Sequence, residues 1–443
     1  MTTPFHGAPR GGFLPVVPVL VLFQLLALLL PAGAVPARAA DPPPLTLDRA
    51  VEEALRNHPD LTLFPPALDA AKGRAERLSV PPNPELEVEV DNLEGGVPWT
   101  ERASPSVRLS QELDRWKREP RRRAAEGEAA VILRDREAAR REVALSARRA
   151  FLSAVAADRR FNLARESRDL SASLSAATRE RVAAGAVSPI EETRAKVELA
   201  AAEAEALRAG REREEAIREL ALALGEENPS FTRVEGGLDE GLALPSAGGA
   251  AASGESPPEV SRWEAERKRR ELVVEAERAE ASPSVTVSAG VSRDGDDDTS
   301  SFLLGFSLPL PLFDRNRGAV AEARAELRTV DAERRRAETH ISARLRKART
   351  AMASSSREGI LVRDGMLAGA KEAFEAVEEG YRLGKFRYVD VIEASRSLVE
   401  ARRKYLEAVT EHNLARVELE TLLAPPPPVE EPASVQKDKE EGR

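Results

Sequence analysis

Two stretches of the chain follow one pattern: Gly185-Ala-Val-Ser188-Pro-Ile190-Glu191 and Gly384-Lys-Phe-Arg387-Tyr-Val389-Asp390, 199 residues apart. The register holds downstream, pairing Ala195 with Ala394, Leu199 with Leu398 and Ala202 with Ala401. It also holds upstream, setting Pro59 against Pro258 and Asn83-Pro84-Glu85-Leu86 against Ser282-Pro283-Ser284-Val285. A repeat this long means that one structural unit was duplicated, so each half reads as a copy. The unit joins very long helices to two short strands, and few architectures do that.

Each copy runs helix, strand, strand, long helix, helix. In the first, Thr46-Leu-Asp48-Arg-Ala50 begins a helix with Thr46 or Asp48 as cap. Pro59 restarts it, Pro65-Pro66 interrupts it, and Pro81, Pro82 and Pro84 end it. A strand follows at about 84–92, with Leu86, Val88 and Val90 on one side and Glu85, Glu87, Glu89 and Asp91 on the other. Its partner at about 105–113 runs from Val107 to Leu113 in the same manner. The second copy has strands at about 283–292 (Val285, Val287, Ala289, Val291) and 301–310 (Phe302, Leu304, Phe306, Leu308, Leu310). Each is close to the ~9–11 residues that cross a bilayer as tilted β. A soluble hairpin packed on a helix alternates in the same way, so the strands alone leave both readings open.

The segments after the strands narrow the choice. From Lys117 to Ala184 the only helix breakers are Gly127 and Pro120. Such a run makes a helix of roughly 100 Å. A tip near 185–189 leads to a second helix ending about Leu224. The second copy repeats this from Gly318 to Gly380, interrupted at Gly359, Gly365 and Gly369, with a tip near 380–388 and a last helix to Leu423. Ala, Glu, Arg and Leu dominate, which suits coiled-coil packing, and aromatics at 4% are too few for a large globular core. The layout is a signal peptide at 1–39, a first repeat at 40–235, a flexible linker at 236–257, a second repeat at 258–424 and a disordered Pro/Glu-rich tail at 425–443.

The signal reading rests on Arg10, the apolar run Leu14–Leu30 and Ala37-Arg38-Ala39, with cleavage after Ala39. Pro15, Pro18 and Pro31 weigh against a membrane anchor. With no cysteine, a disulfide framework, thiolate metal sites and lipid attachment at the mature N-terminus are all excluded. The four histidines show no ligand spacing, and no catalytic arrangement or phosphate loop stands out, so neither enzyme nor cofactor is read here. A net charge of −9, with cations interleaved among Glu, argues against nucleic acid. Beyond the signal no apolar run reaches the roughly 20 residues of a spanning helix, so any membrane entry must use strands. Four strands cannot close a transmembrane barrel, for which about eight is the minimum, and an open edge in lipid is prohibitive. The chain must oligomerise, and with its apolar side to lipid the first strand's carboxylates line the lumen.

Four segments resemble a known family: Ser307-Leu-Pro309-Leu-Pro311-Leu-Phe313-Asp-Arg-Asn316-Arg-Gly318, Tyr381-Arg-Leu-Gly384-Lys-Phe-Arg-Tyr388-Val-Asp390-Val-Ile-Glu-Ala394, Pro84-Glu-Leu-Glu-Val and Thr46-Leu-Asp-Arg-Ala-Val-Glu-Glu-Ala-Leu55. Over residues 45–424 the chain resembles the TolC-like outer-membrane factors (outer membrane efflux proteins), and within them most the cobalt–zinc–cadmium (CzcC-like) branch of heavy-metal exporters. The resemblance implies an α+β membrane protein and a homotrimer. Three times four strands would form a twelve-stranded transmembrane β-barrel in the cell outer membrane, continuous with a long periplasmic α-helical barrel. It implies a passive, gated duct served by a periplasmic adaptor (membrane fusion) protein and an inner-membrane pump of the RND type, with metal cations as cargo. With no cysteine and only Met1, Met352 and Met366, soft Cu(I)-type ligation in the duct is disfavoured. A multidrug or protein-secretion duct of the same family is the alternative. The rival class is a periplasmic coiled-coil structural or adaptor protein, although adaptors usually carry one hairpin rather than two.

In relatives the periplasmic tips close like an iris, held by polar links and acidic rings. The matching positions are Asp390 and Glu393, spaced i, i+3 on one helical face, with Glu191 and its neighbour Glu192 in the first copy. A threefold ring of inward acids would favour cations, while first-turn acids are also what the helix dipole prefers. Tyr381 either links neighbouring helices in the closed gate or simply packs. Gly185 and Gly384 permit the tight turns and, with Ser188 and Arg387, mark the tips where an adaptor would make contact. Glu85, Glu87 and Glu89 are the expected lumen acids. Pro309 and Pro311 mark the change from strand to helix, which Asn316 and Gly318 then open. Pro65-Pro66 depart from the family, where a continuous helix is usual.

Overall fold

The computed structural model describes residues 44–91, 103–238, 241–242, 258–294 and 299–423. The signal peptide, the Pro/Glu-rich tail and most of the first hairpin loop lie outside the described residues. Three short helices come first: α1 Leu47–Asn57, α2 Pro59–Thr62 and α3 Phe64–Ser79. Strands β1 Glu85–Asp91 and β2 Ser104–Leu113 follow, then α4 Arg115–Ala183 and α5 Pro189–Ala223. The second half opens with α6 Pro258–Glu280, β3 Val285–Arg293 and β4 Ser300–Ser307. Helix α7 Arg317–Leu361 passes through a π-helical stretch, Val362–Leu367, into α8 Ala368–Arg382, and α9 Tyr388–Leu423 returns. Thr46 holds the N-cap position of α1 without a side-chain cap bond. Pro65-Pro66 interrupt the early helix, as read, but they also begin the next one. Proline suits the first turn of a helix, where its missing N–H has no partner to lose.

The four strands form one antiparallel sheet in the order β1-β2-β3-β4, leaving β1 and β4 as open edges. Register sets Glu85 opposite Ser110, Leu113 opposite Val285 and Thr286 opposite Ser307, so all four junctions with the helices lie at one end of the sheet. Because side chains alternate, one face collects Glu85, Glu87, Glu89, Arg108, Ser110, Ser288, Ser292 and Ser301. The other collects Leu86, Val88, Val90, Val107, Leu109, Val287, Val291, Phe302, Leu304 and Phe306. That apolar face is bare: Phe302 is 90% exposed and Leu304 83%. Strand β4 stops at Ser307, three residues short of the expected 310, since Pro309 and Pro311 have no N–H for a ladder.

Helix α4 is 69 residues long and contains Pro120 at its sixth position. It packs along α5 and α6, while α9 packs against α7, α8 and α4. No described helix is long and apolar enough to cross a membrane. The main core lies where the helices are girdled by loops. Ala147, Phe151, Ala154 and Val155 of α4 meet Leu220 of α5, Leu224 just after it, Phe231, Leu238, Leu242, and Val409 and Val417 of α9. Small residues here allow helix axes to approach closely. Leu45 joins the belt by accepting from the Glu235 N–H at 2.8 Å and donating to the Arg233 carbonyl at 2.9 Å. Leu238 and Leu242 fall in the stretch expected to be a flexible linker, yet both are buried and the Ser356 hydroxyl donates to the Leu242 carbonyl at 2.6 Å. Packing of two leucines outweighs the Gly/Ser composition around them; residues 243–257 lie outside the described residues.

Candidate functional site

The two hairpin tips are built alike. At the first, Gly185 has φ +71° and its N–H donates to the Val182 carbonyl at 2.9 Å, while the Ala186 N–H reaches back to the Arg181 carbonyl at 2.9 Å. At the second, Gly384 has φ +74°, its N–H donates to the Tyr381 carbonyl at 3.0 Å, and the Lys385 N–H donates to the Gly380 carbonyl at 2.7 Å. The left-handed turn costs glycine nothing and closes off the last carbonyls of the incoming helix. Ser188 and Arg387 then occupy equivalent N-cap positions, with carbonyls that accept from the Glu191 and Asp390 amides. Ile190, Leu383 and Phe386 remain exposed around the tips.

Behind the second tip lies a buried aromatic cluster. Tyr388 is 1% exposed and Tyr381 5%, their ring centroids 6.2 Å apart, packed with Phe374, Val391, Ile392, Leu398 and Ala195 of the other hairpin. The Tyr381 hydroxyl lies 3.5 Å from the Thr178 hydroxyl, and the Arg181 guanidinium stacks 4.4 Å from the Tyr381 ring centroid. Tyr381 thus ties α8 to α4 and links the two hairpins of one chain. Farther along, Arg396 forms an ion pair with Glu198, joining α9 to α5 across a groove of about 390 Å³ that is also lined by Ser167, Ser171 and Tyr388. Tyr388 and this ion pair were not singled out from sequence. A usable signal existed: the chain has three tyrosines, and two of them flank one tip.

The acids behave differently from one another. The Asp390 carboxylate turns back on its own helix, accepting from the Arg387 N–H at 2.8 Å and lying 3.5 Å from the Arg387 guanidinium. This is the helix-capping role that competes with the gate role in the sequence reading. Glu393 is exposed and makes no side-chain hydrogen bond or ion pair among the described residues, and it faces Arg396 on its own helix. Glu191 holds the position equivalent to Asp390, but one of its carboxylate oxygens is enclosed without a hydrogen-bond partner. Its neighbour Glu192 pairs with Lys196 at 2.7 Å, which lowers its pKa. Glu85, Glu87 and Glu89 share one sheet face, with Glu87 3.2 Å from Arg108 directly across the ladder. Among the described residues no group of three or more His, Cys, Asp or Glu is arranged to hold a metal ion.

Burial, reinforced by Tyr381, Glu198 and Glu191, pushes the Tyr388 hydroxyl from 10.0 up to about 12. The neutral form is favoured in the folded tip, so this contribution to stability is complete below pH 10 and is lost as pH rises towards 12. Tyr388→Phe is therefore expected to flatten the alkaline loss of stability between those values, read by thermal melts across pH. An unchanged alkaline slope would assign it to other groups.

Residues 50–226 and 254–424 match the family described as outer membrane efflux protein, one match for each repeat. The cobalt-zinc-cadmium resistance protein CzcC of Cupriavidus metallidurans is 31% identical over 380 residues, covering 86% of this chain and 90% of its own length. A shorter match, 38% identical over 97 residues, links the chain to the nickel-cobalt-cadmium resistance protein NccC of Alcaligenes xylosoxydans xylosoxydans, covering 19% of this chain and 22% of that protein. Among solved structures, CusC superposes with a TM-score of 0.71 at 17% identity, covering 85% of this chain and 92% of its own. The CmeC outer membrane channel of Campylobacter jejuni gives 0.67 at 17% identity, with 89% of each chain covered.

Proposed function

The chain belongs to the outer membrane efflux protein family, and on that footing we propose that it is the exit duct for divalent transition-metal cations, assembled as a homotrimer. As a family member it is an outer-membrane efflux channel whose helical part lies in the periplasm, and it works with a periplasmic adaptor and an inner-membrane pump. The observation that carries the reading is the sheet: two open edges, one bare apolar face and one polar face. Edges of this kind are compatible with lipid only when other copies pair with them. The cation cargo and an RND-type pump are supported by the relationship to a cobalt-zinc-cadmium resistance protein and by the carboxylates Glu85, Glu87 and Glu89 on the polar face. The tips at Gly185, Ser188, Gly384 and Arg387, with exposed Ile190, Leu383 and Phe386 beside them, are the proposed adaptor contact.

Deleting the protein from its host should sensitise cells to cobalt, zinc or cadmium with little effect on apolar drugs. Sensitivity to drugs alone would favour the multidrug alternative. Recovery as a soluble monomer, absent from the outer-membrane fraction, would overturn the channel reading altogether.

The proposed gate comprises Tyr381, Glu191, Asp390 and Glu393. Glu393 makes no side-chain hydrogen bond or ion pair among the described residues, and Asp390 combines gate and cap. Asp390→Ala with Glu393→Ala is expected to raise single-channel conductance in planar bilayers and weaken cation preference. Conductance and selectivity both unchanged would remove these acids from the constriction.

A further inference from the structure

Each of the four junctions between sheet and helices carries an exposed arginine: Arg77 before β1, Arg115 after β2, Arg278 before β3, and Arg315 and Arg317 after β4. None of them forms an ion pair among the described residues; Arg315 donates to the Pro311 carbonyl at 3.4 Å. Most carboxylates at this level are already engaged. Asp114 lies 3.9 Å from Arg118, Glu119 pairs with Arg122 at 2.8 Å, Glu280 with Arg121, Asp314 accepts from the Asn316 N–H at 2.8 Å, and Glu112 faces Arg121, leaving Glu76 exposed. The register places all four junctions at the same end of the sheet.

Between the strands and these cations lies exposed apolar surface. After β4 the chain runs Leu308-Pro-Leu310-Pro-Leu312-Phe313, with Leu310 68%, Leu312 66% and Phe313 99% exposed. Val80 is exposed between Arg77 and β1, and Trp116 is exposed one residue beyond Arg115 at the junction after β2. This strap continues the apolar face of β4, on which Phe302, Leu304 and Phe306 stand bare. At the junctions before β1 and after β4, apolar groups are followed by cations away from the hydrocarbon, and after β2 Arg115 and Trp116 sit side by side; such mixing of aromatic, apolar and cationic groups matches a membrane–water boundary.

Helix electrostatics sharpen the point. The helices that start at the tips carry acids in their first turn, Glu191 and Glu192 in α5 and Asp390 in α9, as the macrodipole favours. The helices that start beneath the sheet carry none: α4 begins Arg115-Trp-Lys117-Arg118 and α7 begins at Arg317. Arg77 and Arg278 end their helices, where the dipole welcomes cations, but Arg115 and Arg317 oppose it. Glu119, which Arg115 also faces, is already paired with Arg122, so both arginines are open to an anion outside the chain.

We propose that this ring is a lipid-anchoring collar: the strap 308–313 with Trp116 enters the periplasmic leaflet of the outer membrane, while Arg115, Arg315 and Arg317 bind the phosphates of anionic phospholipid. The inference rests on the channel reading and assigns the lipid class at its membrane edge. It also gives a chain without cysteine a non-covalent anchor.

The test uses the full-length assembly in nanodiscs made from equal phosphatidylglycerol and phosphatidylcholine, transferred to detergent, with retained lipids quantified. Phosphatidylglycerol should be retained about fivefold over phosphatidylcholine, roughly the contribution of one well-placed cation. The Arg115→Gln/Arg315→Gln/Arg317→Gln variant should lose that preference while keeping its oligomer and conductance, and the matching Lys variant should keep it. Phe313→Ser with Leu310→Ser should lower retention of both lipids. Equal retention by the wild type, or an unchanged preference in the Gln variant, overturns the collar. Displacement of the lipid by millimolar inorganic phosphate would make it a phosphate site, and preferred retention of lipopolysaccharide would refute the periplasmic leaflet. A conducting assembly indifferent to lipid charge sinks only this inference; absence from the outer membrane sinks the channel reading.

Discussion

Leu304→Arg is expected to abolish assembly in the outer membrane, whereas Leu303→Arg, one residue away, should leave it largely intact. Register decides the difference. Leu304 lies opposite Ala289 on the apolar face and is 83% exposed; Leu303 lies opposite Gly290 on the face that carries Ser288, Ser292 and Glu87. An arginine towards lipid costs about 2–4 kcal/mol near the bilayer midplane, a cost borne by every copy in an oligomer, while a lumen arginine stays hydrated. The readout is the amount of oligomer extracted from the outer-membrane fraction without heating. Equal loss from both substitutions would mean that the two faces are not divided between lipid and water. Equal tolerance would mean that this sheet does not meet lipid at all.

Tyr388→Ala is expected to open the periplasmic end. The ring is almost wholly enclosed between Tyr381, Val391, Ile392 and Ala195, and removing an aromatic from such a site costs about 3–5 kcal/mol because the cavity cannot fully collapse. Two hairpins meet at that cluster, so the loss falls on the contact that keeps the tips together rather than on either helix alone. Single-channel conductance in planar bilayers should rise well above wild type, and Tyr388→Phe, which keeps the packing, should stay near it. If the alanine variant melts earlier yet conducts as wild type does, the cluster is scaffolding and the closure lies elsewhere.

Much of the architecture is legible in the residues because its signals are local. Alternation over Glu85–Asp91 reports a strand with two unlike faces whatever surrounds it. The scarcity of Gly and Pro between Lys117 and Ala184 reports an unbroken helix, and α4 covers Arg115–Ala183. The paired turns at Gly185 and Gly384 are legible for the same reason, since a left-handed residue closing a helix demands glycine. The π-helical stretch at Val362–Leu367 has no such local code; the nearby Gly359, Gly365 and Gly369 hint only at a weakened helix.

The candidate site was harder to read, because its roles depend on which partner each side chain finds. Asp390 and Glu191 occupy one repeat position, yet Asp390 folds back onto the Arg387 amide while a Glu191 oxygen is enclosed without a partner. Leu238 and Leu242 look like linker by composition and are core by contact.

Periodicity and helix-breaker spacing were enough to decide the repeat, the strands and the long hairpins, since these follow from backbone hydrogen bonding and from apolar surface that recurs at fixed intervals. Only the folded chain could decide that Tyr381 and Tyr388 join the hairpins, that Glu198 meets Arg396 across a groove, and that arginines from four distant segments lie at one end of the sheet. Those relations arise between residues far apart in the chain, where no local pattern records the partner and packing alone brings them together.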